Sequence, residues 1–187
     1  MSKGWGRGAK VLLVVVACVV VISLLWAVRL KMAGAHSKVV RMDKPLPEFA
    51  LERMDGTPIA LSELQGRVTV MDFWGTWCPP CVQEMPVLKE VAAGYSGNSM
   101  VQFMLVNPEM YGDEPGKIRA FLQKQSVAIP VALDPSQSCF KLGAMQFPTT
   151  LVIDRHGHVR YERSGFSSAH RMRAELRGEV DDLLKER

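Results

Sequence analysis

Cysteine is scarce in this chain: four residues in 187, too few for a fold built on disulfides. Histidine is equally scarce at four. A structural zinc at the Cys78/Cys81 pair would have to borrow Cys139 and the His156/His158 pair from distant sequence, so no metal is expected. Covalent haem attachment needs histidine directly after the second cysteine of such a pair, and position 82 is Val82. Acid is missing altogether from residues 1–35, which hold Lys3, Arg7, Lys10, Arg29 and Lys31. Residues 36–187 carry 18 basic and 19 acidic groups, so the net charge of +4 belongs to the N-terminus. The remainder lacks the basic surface a nucleic-acid footprint requires, and no nucleic-acid partner is expected. There is no internal repeat.

Charge is also absent from one long run. Val11–Val28, VLLVVVACVVVISLLWAV, is uncharged over eighteen residues. As a helix it would measure about 27 Å, close to a bilayer's hydrocarbon core. Trp26 sits near one end and Arg29 and Lys31 lie just beyond, as at a water interface. The run reads as an uncleaved single-span anchor in the lipid bilayer. Two alternatives stay open. Ala33-Gly34-Ala35 has the small-x-small form of a signal-peptide cleavage site. Cys18 in Val15-Val16-Ala17-Cys18 is a lipidation candidate, although apolar sequence continues past it where a polar tether would be expected. Basic residues on both sides leave orientation undecided by charge. Residues 1–10 precede the anchor, 29–44 read as a polar tether, and 45–187 as one folded domain long enough to bury its own core.

Within that domain, apolar strand patterns alternate with helical ones. A small extended pair is expected at 49–51 and 58–61 around Asp55-Gly56. Val68–Phe73 reads as a strand buried on both faces. From Pro79 to Tyr95 the spacing of Val82, Met85, Leu88 and Val91 is helical, and Pro86 is expected to interrupt and kink that helix. A strand is expected at 100–106, a helix carrying Ile118, Phe121 and Leu122, a strand at 129–133, and a short helix from Pro135 to about Leu142. A hairpin around Arg155–His158 and a final helix capped by Ser168 close the chain. The expected class is α/β with a mixed central sheet flanked by helices.

The strongest chemical signal is Trp77-Cys78-Pro79-Pro80-Cys81, at a junction from buried strand to helix. Two intervening residues on a first helical turn let the two sulfurs meet in a disulfide. The helix dipole and free amides at that terminus favour a thiolate on Cys78, the species that attacks disulfides. Cys81, one turn in, suits the resolving role. Pro79 and Pro80 withhold two possible donors from the Cys78 sulfur, which points to a reducing rather than an oxidising pair. Asp72 lies in the buried strand, where a carboxyl's pKa rises, so it can accept and return the proton of Cys81. Glu84, three residues after Cys81, falls on the same helical face and can tune the thiol. For both acids a purely structural reading stays open. Phe147-Pro148-Thr149-Thr150 precedes a strand and is a place for a cis bond. There Trp77, Phe147, Pro148 and Thr149 are candidates for the substrate groove, with free Phe147 backbone groups to pair with an extended chain.

Val70–Cys81, VMDFWGTWCPPC, resembles the active-site segment of the thioredoxin superfamily. Gly75-Thr76-Trp77-Cys78 with Glu84-Met85-Pro86 looks like the membrane-anchored TlpA/ResA/DsbE group, and the resemblance runs from about Pro45 to the C-terminus. It implies a thioredoxin-like fold with an N-terminal hairpin extension and an insert near Asn107–Gly116. It implies a Cys78–Cys81 redox disulfide, an acid at Asp72 matching the buried acid of thioredoxins, and Glu84 matching the active-site glutamate of ResA-like proteins. The implied activity is a thiol-disulfide oxidoreductase needing no cofactor, its catalytic domain on the periplasmic side of the inner membrane. Its clients would be exported protein thiols or disulfides, with apocytochrome c as one candidate. Electrons would come from a membrane thiol donor of the DsbD/CcdA type. Thr149 departs from the acid usual after the proline in DsbE-type proteins and sits nearer ResA and TlpA. Cys139 has no place in the pattern and reads as a small buried apolar residue. A copper-handling carrier using Cys78 and Cys81, prompted by the eleven methionines, and a net disulfide oxidase are the alternatives.

Overall fold

A computed structural model describes residues 7–32 and 37–186, in two units, Met1–Ala35 and His36–Arg187. The first unit is one helix, α1 (Arg7–Met32). Its side chains from Val11 to Trp26 are apolar almost all round and well exposed. Counted over the described residues, no helix is long and apolar enough to cross a membrane. The described side chains of the expected span Val11–Val28 end at Trp26. Ala33-Gly34-Ala35 lies outside the described residues.

The second unit is built on one mixed sheet. Its strands are β1 (Lys38–Pro45), β2 (Leu51–Arg53), β3 (Pro58–Ile59), β4 (Val68–Phe73), β5 (Val101–Asn107), β6 (Val131–Leu133), β7 (Thr149–Ile153) and β8 (His158–Ser164). In space they run β1-β8-β7-β4-β5-β6-β2-β3. The β4, β5 and β6 pairings are parallel and the others antiparallel. Central β4 is buried at all six positions, as its continuous apolar sequence requires. Strand alternation then divides the core. Val68 and Val70 pack with Leu105, Val152 and Tyr161 among α2 (Pro79–Gly94), α3 (Pro115–Lys124) and α4 (Ala169–Lys185). Met71 and Phe73 face the other way, with Leu51, Leu64, Cys139, Leu151 and Ile153. Asp72 follows Val70 in this alternation and faces the helices.

Several sequence expectations need correction. The stretch read as tether at 29–44 contains β1, which pairs with β8 from Lys38↔Ser164 to Pro45↔His158. Its Lys- and Arg-interrupted sequence reads as linker, but on a sheet edge such residues and a terminal proline are tolerated. The small hairpin falls at Leu51–Arg53 and Pro58–Ile59, its first strand two residues later than expected and its second shorter by two. The strand expected at 129–133 begins only at Val131, just after Pro130, which has no N–H to offer a ladder. The helix expected from Pro135 shrinks to one turn at Ser138–Phe140, where Asp134 accepts the amides of Ser138 and Cys139. α2 passes through Pro86 unbroken, against the interruption expected there. Elsewhere the expected order holds, and Ser168 Oγ accepts the Arg171 amide at the head of α4.

Candidate active site

The site forms where β4 ends and α2 begins. Trp74 N donates to Val106 O, so the chain leaves the sheet still tied to β5. Gly75 leaves room at the next position for the Trp77 ring, since a Cβ there would lie 2.5 Å from Trp77 Cε2 and 2.6 Å from its Nε1. The Trp77 indole therefore folds back over the Gly75 backbone. Its ring meets Tyr111 at 4.7 Å and Phe147 at 5.3 Å, edge to face in both cases.

Cys78 is the N-cap of α2, with extended backbone at φ −100° and ψ 100°. A capping side chain ordinarily accepts from the second or third helical amide. Pro79 and Pro80 fill the first two positions, so Cys78 Sγ receives one N–H, that of Cys81, at 3.3 Å. Cys78 and Cys81 form the disulfide, with Cα atoms 5.3 Å apart. Cys78 retains 3% exposure and Cys81 none, so an external sulfur can approach only from the Cys78 side.

Beneath the disulfide lie the two acids. Asp72 is sealed from water, and Thr150 Oγ1 donates to its Oδ1 at 2.9 Å from the adjacent strand β7. Its Oδ2 has no partner among the described residues. Burial, only partly offset by the Thr150 hydrogen bond, pushes the Asp72 carboxyl up to about 7. Glu84 is also buried, and neither of its carboxyl oxygens has a partner among the described residues. Burial first, and then the charge of Asp72, hold it well above the usual carboxylate range, while Arg163 pulls it back. Two neighbouring buried carboxyls, both raised by burial and one raised further by the charge of the other, titrate as a pair and hold a proton near neutral pH.

The remaining expected residues gather on the same rim. The Phe147–Pro148 bond is cis. Pro148 and Thr149 are buried, Phe147 is half-buried, and Thr149 Oγ1 donates to Gln146 O in its own loop. Among the described residues no backbone hydrogen bond engages Phe147. Sequence reasoning missed the group that braces this rim. Asp113, with its side chain sealed, accepts from Thr76 N at 2.8 Å, Thr76 Oγ1, Asn107 Nδ2 at 2.9 Å and Lys117 Nζ at 2.9 Å. It ties the loop bearing Tyr111 to the loop bearing Trp77. An aspartate in a polar stretch rich in turn residues carries no sequence signal that sets it apart. Two clefts, of about 900 and 730 Å³, run beside β5 and contain none of these residues. Among the described residues no three His, Cys, Asp or Glu side chains are grouped to hold a metal ion.

Cys139 stands apart. It is free and fully buried in the opposite core, and burial followed by the charge of Asp134 pushes its thiol up to about 12. It has neither the access nor the thiolate character of a redox centre.

A dithiol capping the helix that follows the central strand, with a cis-proline loop alongside, defines the thioredoxin-like class of redox proteins. The profile of the Redoxin family matches residues 41–179, and the chain belongs to that family. It is 30% identical over 127 residues to the thiol-disulfide oxidoreductase ResA of Halalkalibacterium halodurans, covering 67% of this chain and 69% of that one. The thioredoxin-like protein YneN of Bacillus subtilis is 27% identical over 130 residues, 70% of this chain and 75% of YneN. A Chlorobium tepidum crystal structure, described as a thiol:disulfide interchange protein DsbE, superposes with a TM-score of 0.66 at 30% identity. It covers 79% of this chain and 99% of its own. Within its superfamily the protein is thus a ResA/DsbE-like redox enzyme, a thiol-disulfide oxidoreductase.

Proposed function

We propose that this enzyme is a membrane-anchored reductant of exported protein disulfides. The observation that carries the direction is the single amide at the Cys78 sulfur: with Pro79 and Pro80 unable to donate, the thiolate is held less tightly than at a fully capped helix terminus. A less stabilised reduced form gives up its electrons more readily.

In the reduced enzyme, the Cys78 thiolate attacks one sulfur of a client disulfide, and the other client sulfur leaves as a thiolate that takes a proton. Cys81 passes its proton to the Asp72–Glu84 pair and attacks Cys78 Sγ. The Cys78–Cys81 bond closes and the second client sulfur is released, to be protonated in turn. Two electrons and two protons move from the enzyme dithiol to the client. Trp77, Phe147, Pro148 and Thr149 form the rim against which an extended client segment lies, its backbone paired with Phe147.

The anchor reading rests on the uncharged eighteen-residue run Val11–Val28 of the sequence. A helix apolar on every side cannot satisfy its surface in water, and the basic residues flanking Val11–Val28 suit two lipid–water interfaces. With residues 1–10 in the cytoplasm, the redox domain faces the periplasm or its equivalent. Apocytochrome c is the client class implied by the resemblance of the Cys78–Cys81 segment to the TlpA/ResA/DsbE group, and a membrane dithiol donor of the DsbD/CcdA type would regenerate Cys78 and Cys81.

The direct test is the Cys78–Cys81 reduction potential together with insulin-disulfide reduction. A potential nearer about −270 mV than about −120 mV, with insulin reduced, supports the reading, and a strongly oxidising value overturns it. Cys81→Ala, which strands the mixed disulfide on Cys78, would capture the client for identification.

A further inference from the structure

Sheet register extends the polar row that starts at Asp72 to Arg163, a buried charge that the dithiol chemistry described above leaves unused. Asp72 on β4 pairs with Thr150 on β7, and Thr150 pairs with Arg163 on β8. All three project toward the helices. Arg163 is two strands from Asp72, about 10 Å at the backbone, within reach of an arginine side chain. It is 3% exposed. Fully burying an arginine is rare unless it is paired. From α4, Glu175 accepts from its Nη1, and Glu179 accepts from its Nη2 at 2.6 Å. Arg163 Nε has no partner among the described residues; neither do Asp72 Oδ2, both oxygens of Glu84, nor Glu179 Oε2. Five orphaned buried polar atoms in one layer are unusual for a structural ion pair, whose stability depends on satisfying such atoms.

We propose that Arg163 is a positioning residue of the redox site, a fixed positive charge that Glu175 and Glu179 hold from α4 over the Asp72–Glu84 pair. Every charged group facing it takes part. On the inner side, α2 contributes Glu84 and β4 contributes Asp72; on the outer side, α4 contributes Glu175 and Glu179. Arg171 in turn bonds Glu175 at 2.7 Å, and the flanking sheet neighbours Val39 and Thr150 carry no charge. One guanidinium is shared between two acid pairs, so what the outer pair neutralises the inner pair loses. The charge of Arg163 already acts to lower Glu84. Burial raises Glu179 to about 7 against the pull of Arg163. As Glu179 gains a proton, more of the guanidinium's field falls on the acids beneath the disulfide. The outer pair on α4 thereby sets the readiness of the inner pair to take the Cys81 proton.

The inference rests on the redox reading above, but its first readout does not need a client. In the full-length enzyme, the protonated-carboxyl infrared band of the inner pair is titrated against pH, with Asp72→Asn and Glu84→Gln used to assign it. Removing an opposite charge raises a carboxyl, by about 1–3 pH units where the two lie within about 4–6 Å. Arg163→Met should therefore move the midpoint up by about one pH unit or more. Glu179→Gln should move it down, since the guanidinium is then less neutralised, and Arg163→Lys should restore most of the original value. A merely structural role would lower the melting temperature in all three variants without opposite shifts in the midpoint. Unmoved midpoints in folded Glu179→Gln and Arg163→Met, or shifts of one sign in the two, overturn the proposal. If Arg163→Met does not fold, Glu179→Gln decides alone: a downward shift sustains the proposal, and an unmoved or upward one ends it. If the midpoints shift as expected while the pH profile of insulin reduction stays fixed, Arg163 keeps its role and the assignment of the inner pair as the Cys81 base fails instead.

Discussion

Asp72 and Asp113 are both sealed from water beside the same disulfide, yet burial leaves them in opposite states. Asp113 sits in the loop next to Trp77, and its oxygens collect the Thr76 amide and hydroxyl, the Asn107 amide and the Lys117 ammonium. Burial on its own would raise it, but those hydrogen bonds outweigh burial and hold it below the usual carboxylate range. Asp72 receives one hydroxyl, and burial pushes it up to about 7. The first acid is a brace, permanently charged and fully paired. The second keeps its proton near neutral pH and is left with an oxygen that has no partner among the described residues, on the strand that leads into the dithiol. How many donors reach a carboxylate, rather than how deeply it is buried, separates the structural acid from the chemical one.

Four substitutions sharpen or break that contrast. Asp113→Ala should do the most damage, since it strands a buried amide, the Asn107 side chain and Lys117. A loss of about 3–5 kcal/mol is expected in urea unfolding, together with a change in Trp77 fluorescence as the loop comes loose. Asp72→Asn should act with the opposite sign. The folded carboxyl titrates near 7 against an ordinary 3.8, so its contribution to stability is fully present below about 3.8 and drains away as pH rises through about 7. The asparagine variant should therefore be more stable than the parent above pH 7. The gain is bounded by about 4 kcal/mol, at ~1.4 kcal/mol for each pH unit between the two titrations, and is measured as the difference between unfolding curves at pH 5 and pH 8. The same variant should slow resolution of a Cys78 mixed disulfide by about 100-fold or more, read in single-turnover kinetics. Equal stability at both pH values would erase the distinction between the two acids.

Gly75→Ala tests the frame that both acids serve. Its Cβ would displace the Trp77 indole, and client attack should slow about 10-fold with little change in the potential of the dithiol. The smallest effect belongs to Cys139→Ala. It should leave insulin reduction unchanged and cost ~1–2 kcal/mol in thermal unfolding. In the parent protein, iodoacetamide should label Cys139 only after unfolding, because its thiol is buried and pushed up to about 12.

Much of the site is legible without the fold. The cysteine pair, the prolines between it, the acid in the β4 run and Glu84 one helical step beyond Cys81 all lie within thirteen residues of chain. Their relations follow from strand and helix periodicity. Phe147-Pro148 is legible as a motif, although its place beside Trp77 is not. The edge strand β1 escapes a sequence reading because lysine, arginine and proline weaken an apolar alternation that a sheet edge does not need in full. Asp113 and Tyr111 escape it for another reason, since nothing local distinguishes them from turn and surface residues.

The chain by itself determined that a buried strand runs into a helix whose first turn carries a dithiol, since both depend on neighbours in sequence. It also determined that the charge excess lies outside the domain, which is a matter of counting. Tertiary structure alone decided which buried groups are paired and which are orphaned. Arg163 reaches the level of Asp72 only because β4, β7 and β8 pair in one register, and Glu179 reaches Arg163 only because α4 packs over that row. Hydrogen-bond satisfaction is a property of atoms brought together from distant parts of the chain, and no local pattern encodes it.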